Sequence, residues 1–218
     1  MNNYCDDDWF GRECVFNAEN ADHSWQVSEG KITFPAETTW RHYVDSRRLE
    51  ITCGEAPYLV SRYDATTGEL IVPPCRRIGI LDRKLRVVNE NTATYDDWLK
   101  WTIRSFEACY GYEYQGDNVL IARCNLLLTF TDYYQDRWHK TPENKLLRQI
   151  ANKIAWNIWQ MDGLKDTVPL GKPYEEFKQL TFFDAFGMED DATIEAVSCK
   201  IYNWRSKTSL TFKELKEM

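Results

Sequence analysis

The sequence of 218 residues predicts an α/β fold, in which a sheet is flanked by helices and carries peripheral insertions. Three short stretches predict it, because each reads as an apolar strand that leads into a turn or ends in an acid. They are residues 49–52 before Cys53-Gly54, residues 110–114 with Glu113, and residues 155–164, which run out into Asp162-Gly163. Ligands bind beyond the carboxyl ends of strands in open α/β sheets, so we expect the three loops to converge.

Gly54 is the first candidate site residue. A glycine directly after an apolar strand lets the backbone adopt a positive φ or lie flat against a ligand. The turn around Gly54 therefore predicts a site for a small molecule. The alternative is an ordinary strand-to-helix turn in which Gly54 only relieves a steric conflict, and this segment alone leaves both interpretations open.

Glu113 and Asp162 extend the prediction to a nucleoside. A carboxylate that ends the strand after a glycine-bearing loop can accept hydrogen bonds from both ribose hydroxyls. Asp162 would place a polar acceptor where an adenine amino group could meet it. Asp82 is a rival to Glu113, since residues 77–82 also read as a strand that ends in an acid.

The other elements predicted for the first half of the chain are short and separated by turn residues. In order, they are an irregular region over residues 1–39 with a strand at 31–34, a helix or turn over 39–47, a helix from Pro57 to Arg62 that breaks near Thr67-Gly68, a strand over 77–82, and a helix over 83–89.

Three helices are predicted after residue 96. Residues 97–110 carry an apolar stripe, a pattern that is core far more often than a binding surface. Residues 119–138 form one long helix, and Thr141 and Pro142 are the expected N-cap and first residue of the next. The side chains expected to point inward are Trp98, Trp101, Ile103, Phe106 and Cys109, and then Leu146, Leu147, Ile150 and Ile154.

Composition fits a single cytoplasmic domain over residues 1–218. The chain is 43% hydrophobic, enough for one substantial core, and no apolar run approaches the length of a membrane span. Residues 6–8, all aspartate, give the N-terminus the wrong charge for a signal peptide. We divide the domain into an N-terminal region 1–39, a core 40–165 and a C-terminal extension 166–218, in which residues 189–191 read as an exposed acidic loop.

The cysteines support neither a disulfide framework nor a metal site. The seven are scattered, no Cys-x-x-Cys pair occurs, and the chain has three histidines. We expect most of these thiols to be buried.

Net charge argues against a chain that grips DNA alone. The 27 basic and 34 acidic residues give a net charge of −7, whereas duplex binding depends on neutralising phosphates. Arg47-Arg48, Arg76-Arg77 and Arg83-Lys84 with Arg86 are basic clusters that could touch a phosphate. Solvation or pairing with nearby acids is the favoured interpretation of all three.

Three blocks of the sequence resemble the amino-methylating DNA methyltransferases of the adenine-N6 type, the M subunits of restriction-modification systems. The resemblance runs from about Trp40 to the C-terminus, and its blocks are residues 43–60, residues 110–113 with 121–126, and residues 156–164. It implies a Rossmann-like sheet that binds S-adenosylmethionine. Thr52 to Pro57 would lie under the methionine moiety, Glu113 would hold the ribose and Asp162 would lie near the adenine.

The helix after Glu113 has the Ile-Ala-Arg-x-Asn-Leu pattern of the family, which is why Glu113 is preferred to Asp82. The cofactor-binding residues implied by the resemblance are Thr52, Cys53, Gly54, Glu55, Ala56, Pro57, Glu113, Tyr114, Asp162 and Gly163.

The sequence departs from the family in its catalytic parts. Glu55 and Ala56 replace the second and third glycines of the loop, and no upstream Phe-Thr-Pro segment occurs. The Asn/Asp-Pro-Pro-aromatic tetrapeptide that clamps a flipped base is absent from these 218 residues. Val72-Pro73-Pro74-Cys75 precedes the ribose strand and reads as a rigid loop, and Gly171-Lys172-Pro173-Tyr174 is either a degenerate catalytic loop or a simple turn.

The resemblance therefore implies the cofactor-binding part of a restriction-modification DNA methyltransferase. No catalytic residue is assigned within the chain. DNA binding and methyl transfer would depend on a second polypeptide that carries an Asn-Pro-Pro-Tyr type loop. Two alternatives stay open: a non-catalytic remnant that binds S-adenosylmethionine or a partner, and a small-molecule methyltransferase.

Overall fold

Helices supply most of the regular structure in the computed structural model, which describes residues 1–169 and 197–216. The helices of these ranges are α1 (Asn2–Phe10), α2 (Trp40–Asp45), α3 (Ile80–Asn91), α4 (Tyr95–Glu107), α5 (Gly116–Trp138), α6 (Asn144–Asn157) and α7 (Phe212–Lys216). The strands are β1 (Asn17–Glu19), β2 (Trp25–Val27), β3 (Arg48–Glu50), β4 (Cys109–Glu113), β5 (Ile158–Gln160), β6 (Lys200–Asn203) and β7 (Thr208–Thr211).

Three of the strands form a parallel sheet in the order β3-β4-β5. Leu49 lies opposite Tyr110, and Tyr112 lies opposite Trp159. α3 and α4 connect β3 to β4, and α5 and α6 connect β4 to β5, because parallel neighbours need long crossovers. β1 with β2 and β6 with β7 form separate antiparallel pairs. The mixed α/β class predicted from the sequence is confirmed.

The parallel sheet separates two apolar clusters, since successive side chains of a strand point to opposite faces. The larger cluster contains Cys109 and Ile158 from the sheet together with Trp98, Phe106, Phe130, Ile150 and Ile154 from the helices. The smaller cluster contains Tyr110, Tyr112 and Trp159 from the sheet together with Met161, Cys199, Ile201 and Phe212. Every residue of β4 is buried, so this strand carries both clusters.

The inward-facing residues predicted for the helices are confirmed. Trp98, Phe106, Ile150 and Ile154 are buried, and Trp101, Ile103, Leu146 and Leu147 are partly buried and pack against the larger cluster. Cys109 is also buried, although it belongs to β4 rather than to the helix before it. The hydroxyl of Thr94 accepts the Asp97 N–H at 3.3 Å and caps the start of α4.

A buried carboxylate attaches α1 to the rest of the chain. Asp6 lies 2.6 Å from Arg83 Nη1 and accepts the Tyr43 hydroxyl at 3.0 Å. Arg48 is a third partner at 3.5 Å. Burial, and then the charge of Asp6, raise the pKa of Tyr43 well above its usual value. The basic cluster of Arg83, Lys84 and Arg86 is therefore internal structure.

Two predicted elements of the first half are wrong because of Gly79 and Ala56. Residues 77–82 are not a strand: Gly79 is the N-cap of α3, and its place against the backbone of Leu59 leaves no space for a Cβ. No helix follows Pro57. Ala56 has a φ of 64°, and its carbonyl accepts the Val60 N–H, which closes a single turn. Isolated turns occupy residues 57–68 instead.

The structure also differs from the predicted bounds elsewhere. Residues 1–39 contain α1 and the β1–β2 pair rather than an irregular region, and no strand forms at 31–34. α6 begins at Asn144 with Glu143 as N-cap, so Thr141 and Pro142 precede the helix. Residues 155–157 end α6, and only residues 158–160 are strand. The apolar run there is shared by a helix and a strand, which periodicity cannot separate.

The prediction that most thiols are buried is wrong. Cys53, Cys109 and Cys199 are buried, Cys5 and Cys75 are half-buried, and Cys14 and Cys124 are exposed. All seven are free thiols.

Candidate functional site

The carboxyl ends of β3, β4 and β5 lie side by side and bring most of the predicted site residues together. The loop 51–57 follows β3, Glu113 ends β4, and Asp162 follows β5 by two residues. The Met161 N–H donates to the carbonyl of Glu113 at 3.0 Å, which extends the pairing of β4 and β5 to the site. Parallel strands place their carboxyl ends on one edge, so loops distant in the sequence meet there.

The loop after β3 is a compact turn built on left-handed backbone. Thr52, Gly54 and Ala56 have φ values of 48°, 53° and 64°. The Cys53 N–H donates to the Tyr112 carbonyl at 2.8 Å, and the Ala56 N–H donates to the Cys53 carbonyl at 2.7 Å. Because the Gly54 N–H is bonded to Glu113, the N–H groups of Cys53, Gly54 and Ala56 are all used within the protein, and they fix the shape of the turn.

Two buried residues anchor this loop. Cys53 and Ala56 are at most 1% exposed, whereas Thr52, Glu55 and Pro57 are exposed. Burial raises the pKa of the Cys53 thiol to about 12, and the charges of Glu50 and Glu113 add to this effect. The thiol is therefore protonated at neutral pH and serves as packing rather than as a nucleophile.

Gly111 in the neighbouring strand gives Cys53 room to pack closely. A Cβ on Gly111 would lie 3.2 Å from the Cys53 sulfur and 3.3 Å from Ile158 Cδ1. The absence of a side chain at Gly111 lets the loop lie directly on β4. On the other side of the loop, the Asn125 amide of α5 donates to the Glu55 carbonyl at 3.2 Å.

Glu113 is fixed by two backbone donors. Its Oε2 accepts the Gly54 N–H at 2.9 Å and its Oε1 accepts the Gln115 N–H at 3.1 Å. A carboxylate has about four lone-pair sites, so each oxygen can accept one more hydrogen bond. Glu113 remains 8% exposed, which leaves a narrow approach to those sites. Tyr114, the next residue, is exposed, and its carbonyl accepts the Gln160 amide at 2.9 Å.

Asp162 and Gly163 form the turn after β5. Asp162 Oδ1 accepts the Leu164 N–H at 3.0 Å and the Lys165 N–H at 3.3 Å. Within the described residues its Oδ2 has no hydrogen-bond donor. A Cβ on Gly163 would lie 2.8 Å from the Tyr112 ring, so glycine here allows the turn to cover that ring.

A cleft of about 730 Å³ lies beside the loop after β3. Five of the predicted residues line it: Thr52, Cys53, Gly54, Glu55 and Pro57. Ala56, Glu113, Tyr114, Asp162 and Gly163 do not. Gly54 belongs to both groups, because it lines the cleft and donates its N–H to Glu113.

Glu50 is a cleft residue that the sequence reasoning missed. It is the last residue of β3 and accepts the Leu59 N–H at 3.0 Å and the Tyr58 N–H at 3.4 Å. Burial raises its pKa to about 7 in spite of these two bonds. A perturbed carboxylate in a cleft is a candidate functional group. Its signal in the sequence is an acid at the end of the strand that precedes the glycine turn.

Asp82 is not at a strand end. It lies in the first turn of α3, is fully buried, and accepts the Ser61 N–H at 2.8 Å. Burial raises its pKa to about 7, and bonds to Ser61 and the charge of Arg77 oppose the rise. The strand that made Asp82 a rival to Glu113 is wrong, and its side chain is inaccessible to a ligand.

Pro74 of the proline loop and Arg77 of the basic clusters are internal structure, whereas Arg47 and Arg76 are exposed. Pro74 is buried, and its carbonyl accepts the Tyr133 hydroxyl at 2.9 Å. Arg77, 1% exposed, lies 2.8 Å from Asp132, so it is not a phosphate contact. The other weak candidate, Gly171-Lys172-Pro173-Tyr174, and the acidic loop 189–191 lie outside the described residues.

Comparisons with known proteins gave no match to the chain, whether the comparison was with family models, curated sequences or solved structures. Over residues 1–169 and 197–216, no helix is both long and apolar enough to span a bilayer. The same part of the chain contains no cluster of three or more His, Cys, Asp and Glu side chains arranged to hold a metal ion.

Proposed function

We propose that the chain is the S-adenosylmethionine-binding part of an amino-methylating DNA methyltransferase of the adenine-N6 type, from a restriction-modification system. The parallel sheet would be part of a Rossmann-like methyltransferase fold. The observation that carries the proposal is the convergence of Gly54, Glu113 and Asp162 on the carboxyl edge of three adjacent parallel strands. The methyl-transfer reaction is inferred from the resemblance of the sequence to that family.

Each part of the cofactor has a candidate partner. The methionine moiety would occupy the cleft over the loop 52–57, where its ammonium group would meet the carboxylate of Glu50. The ribose would cross Gly54 and donate its hydroxyls to the free lone pairs of Glu113. The adenine amino group would donate to Asp162 Oδ2. This order follows the order of the strands, β3, β4 and β5.

Methyl transfer would need groups from a second polypeptide. The amino nitrogen of adenine is a poor nucleophile until acceptors draw its hydrogens out of the ring plane, and the sequence has no amide-Pro-Pro-aromatic segment to do this. Positioning of the base against the methyl group is also lost without a base clamp. A net charge of −7 further weakens capture of the duplex.

The test is a methyl-transfer assay with labelled cofactor and mixed-sequence DNA at low salt. The chain is assayed alone and with the product of the neighbouring reading frame. We expect incorporation only in the mixture, and only when the neighbour carries an intact Asn/Asp-Pro-Pro-aromatic loop. Robust incorporation by the purified chain alone would overturn the need for a second polypeptide.

The absence of the tetrapeptide favours a second candidate, a non-catalytic protein that binds the cofactor or a partner. The same assay separates the two. A mixture that binds S-adenosylmethionine but transfers no methyl group supports the non-catalytic protein. A metabolite methylated by the chain alone would favour a small-molecule methyltransferase.

A further inference from the structure

β3 is an edge strand of the parallel sheet, and no strand within residues 1–169 and 197–216 pairs with its outer side. The Arg48 N–H donates to the Ala108 carbonyl at 2.9 Å, toward β4. Backbone groups alternate in direction along a strand, so the N–H and carbonyl of Leu49 point away from β4. Leu49 is 43% exposed and Ile51 after it is 63% exposed. An exposed edge with apolar side chains is a template for another strand.

The open edge lies between two cavities, one toward each face of the sheet. A pocket of about 120 Å³ on the Leu49 face is bounded by Tyr110, Leu210, Phe212 and Leu215. The cleft of about 730 Å³ on the other face contains Glu50, Thr52 and Asn2. Both cavities include Arg47, Arg48 and Leu49, so the edge separates them. An added strand would therefore alternate apolar and polar side chains.

The charge at the start of the edge also points to its occupant. Arg47 is exposed, lines both cavities and forms no ion pair with the described part of the chain. Arg48 beside it is half-buried and turned toward Asp6. A carboxylate on the added strand would pair with Arg47 at little desolvation cost, since the guanidinium lies at the surface.

We propose that the β3 edge binds an extended segment of a second polypeptide, which adds to the sheet as a parallel strand. An acidic residue at its N-terminal end lies beside Arg47. Apolar residues then enter the pocket against Tyr110 and Leu210, and small polar residues face the cleft. Main-chain hydrogen bonds to Leu49 give affinity, and the two cavities give sequence preference. In identifying this polypeptide with the methylase partner, the inference rests on the proposed function.

The experiment follows the Leu49 amide of the full chain by hydrogen exchange and NMR. The probe is a synthetic acetylated peptide that begins with aspartate and then alternates leucine or valine with threonine. A control peptide has proline at its central positions. We expect the free Leu49 amide to exchange rapidly while the Arg48 amide is protected. Addition of the probe slows exchange at Leu49 by about tenfold or more and leaves Arg48 unchanged.

A variant tests the main-chain contact directly. Leu49→Pro removes the outward N–H. Edge strands tolerate proline where the missing N–H would face solvent. We expect it to fold, with Arg48 still protected, and to bind the probe at least tenfold more weakly. Leu49→Thr, which keeps the N–H, should bind it within a few-fold of the wild type. A Leu49→Pro chain that binds the probe as tightly as Leu49→Thr would overturn the inference.

Three further results would also overturn it. Protection of Leu49 in the free monomer would mean that the chain covers its own edge. Protection that rises with protein concentration and without peptide would assign the edge to a second copy. No change at Leu49 at saturating probe would exclude strand addition. A chain that binds the probe but not S-adenosylmethionine supports this inference and contradicts the proposed function. A chain that binds S-adenosylmethionine but not the probe supports the proposed function and contradicts this inference.

Discussion

The backbone N–H of Gly54 donates a hydrogen bond of 2.9 Å to Oε2 of Glu113. The two residues come from different strand ends, and the bond joins the loop after β3 to the last residue of β4. It fixes the carboxylate and the loop relative to each other before any ligand binds. The candidate site is therefore preorganised. A ligand that bound there would not need to order the loop, so the entropy cost of binding would be lower.

Glu113→Ala should remove most of the affinity for S-adenosylmethionine. A charged acceptor of ribose hydroxyls contributes roughly 1.5–3 kcal/mol, so we expect a loss of about tenfold or more. Asp117→Ala is the matched control, because Asp117 is an exposed acid in the first turn of α5. Calorimetric titration measures both variants. Equal affinity of Glu113→Ala and the wild type would remove Glu113 from the site.

Gly54→Ala should destabilise the chain through the backbone alone. Gly54 has a φ of 53°, and an added Cβ would meet no atom within 4 Å. A left-handed conformation costs a residue with a Cβ about 1–2 kcal/mol, and asparagine less. We therefore expect the free energy of unfolding to fall in the order Gly54, Gly54→Asn, Gly54→Ala in urea titrations. Equal destabilisation by asparagine and alanine would point to a steric conflict instead.

Ionisation of Glu50 should lower the free energy of unfolding as the pH rises. Its pKa is about 7 in the folded chain and 4.5 in the reference state, so the folded state holds this proton more tightly. The stability from that proton is fully present below pH 4.5 and is lost as the pH rises through about 7. Glu50→Gln should flatten the decrease in unfolding free energy across this range.

Asp82 should change the stability in the same direction. It is fully buried, and its pKa is about 7 in the folded chain and 3.8 in the reference state. Asp82→Asn should therefore flatten the same pH range independently, and the double variant should flatten it further. Urea titrations at pH 5 and pH 7.5 measure the effect. A single variant with the slope of the wild type would show that its carboxyl group is ionised throughout.

Asp6→Ala should destabilise the chain strongly, because it leaves the buried Arg83 guanidinium without its charge partner. The two side chains are 2% and 1% exposed and lie 2.6 Å apart. Removal of one member of a buried pair costs about 3–5 kcal/mol. Asp7→Ala, one residue away, is the control. A change of less than about 1 kcal/mol in thermal unfolding would show that α1 does not depend on this pair.

The order of the site elements could be predicted from the sequence, because each depends on a local signal. Gly54 follows an apolar strand, Glu113 ends one, and Asp162-Gly163 is a turn signal. Glu113 and the Gly54 loop are 59 residues apart, yet the expected convergence follows from the parallel sheet once the strands are known.

The parts that failed depend on tertiary contacts. Gly79 reads as a strand residue, but its contact with the Leu59 backbone makes it a helix N-cap. Glu50 reads as an ordinary acid at a strand end, but the fold buries it, and this burial raises its pKa in spite of the bonds from the Tyr58 and Leu59 N–H groups. Arg77 reads as a surface cation, and only the fold places it beside Asp132. None of these partners is adjacent in the sequence.

Calorimetric titration of the intact chain with S-adenosylmethionine and S-adenosylhomocysteine tests the central claim most directly. We expect saturable binding of one molecule per chain, with a dissociation constant between the micromolar and millimolar ranges. Glu113→Ala should lose the binding, and Asp117→Ala should keep it. No binding of either ligand at millimolar concentration, by a chain that is folded by circular dichroism, would contradict the account.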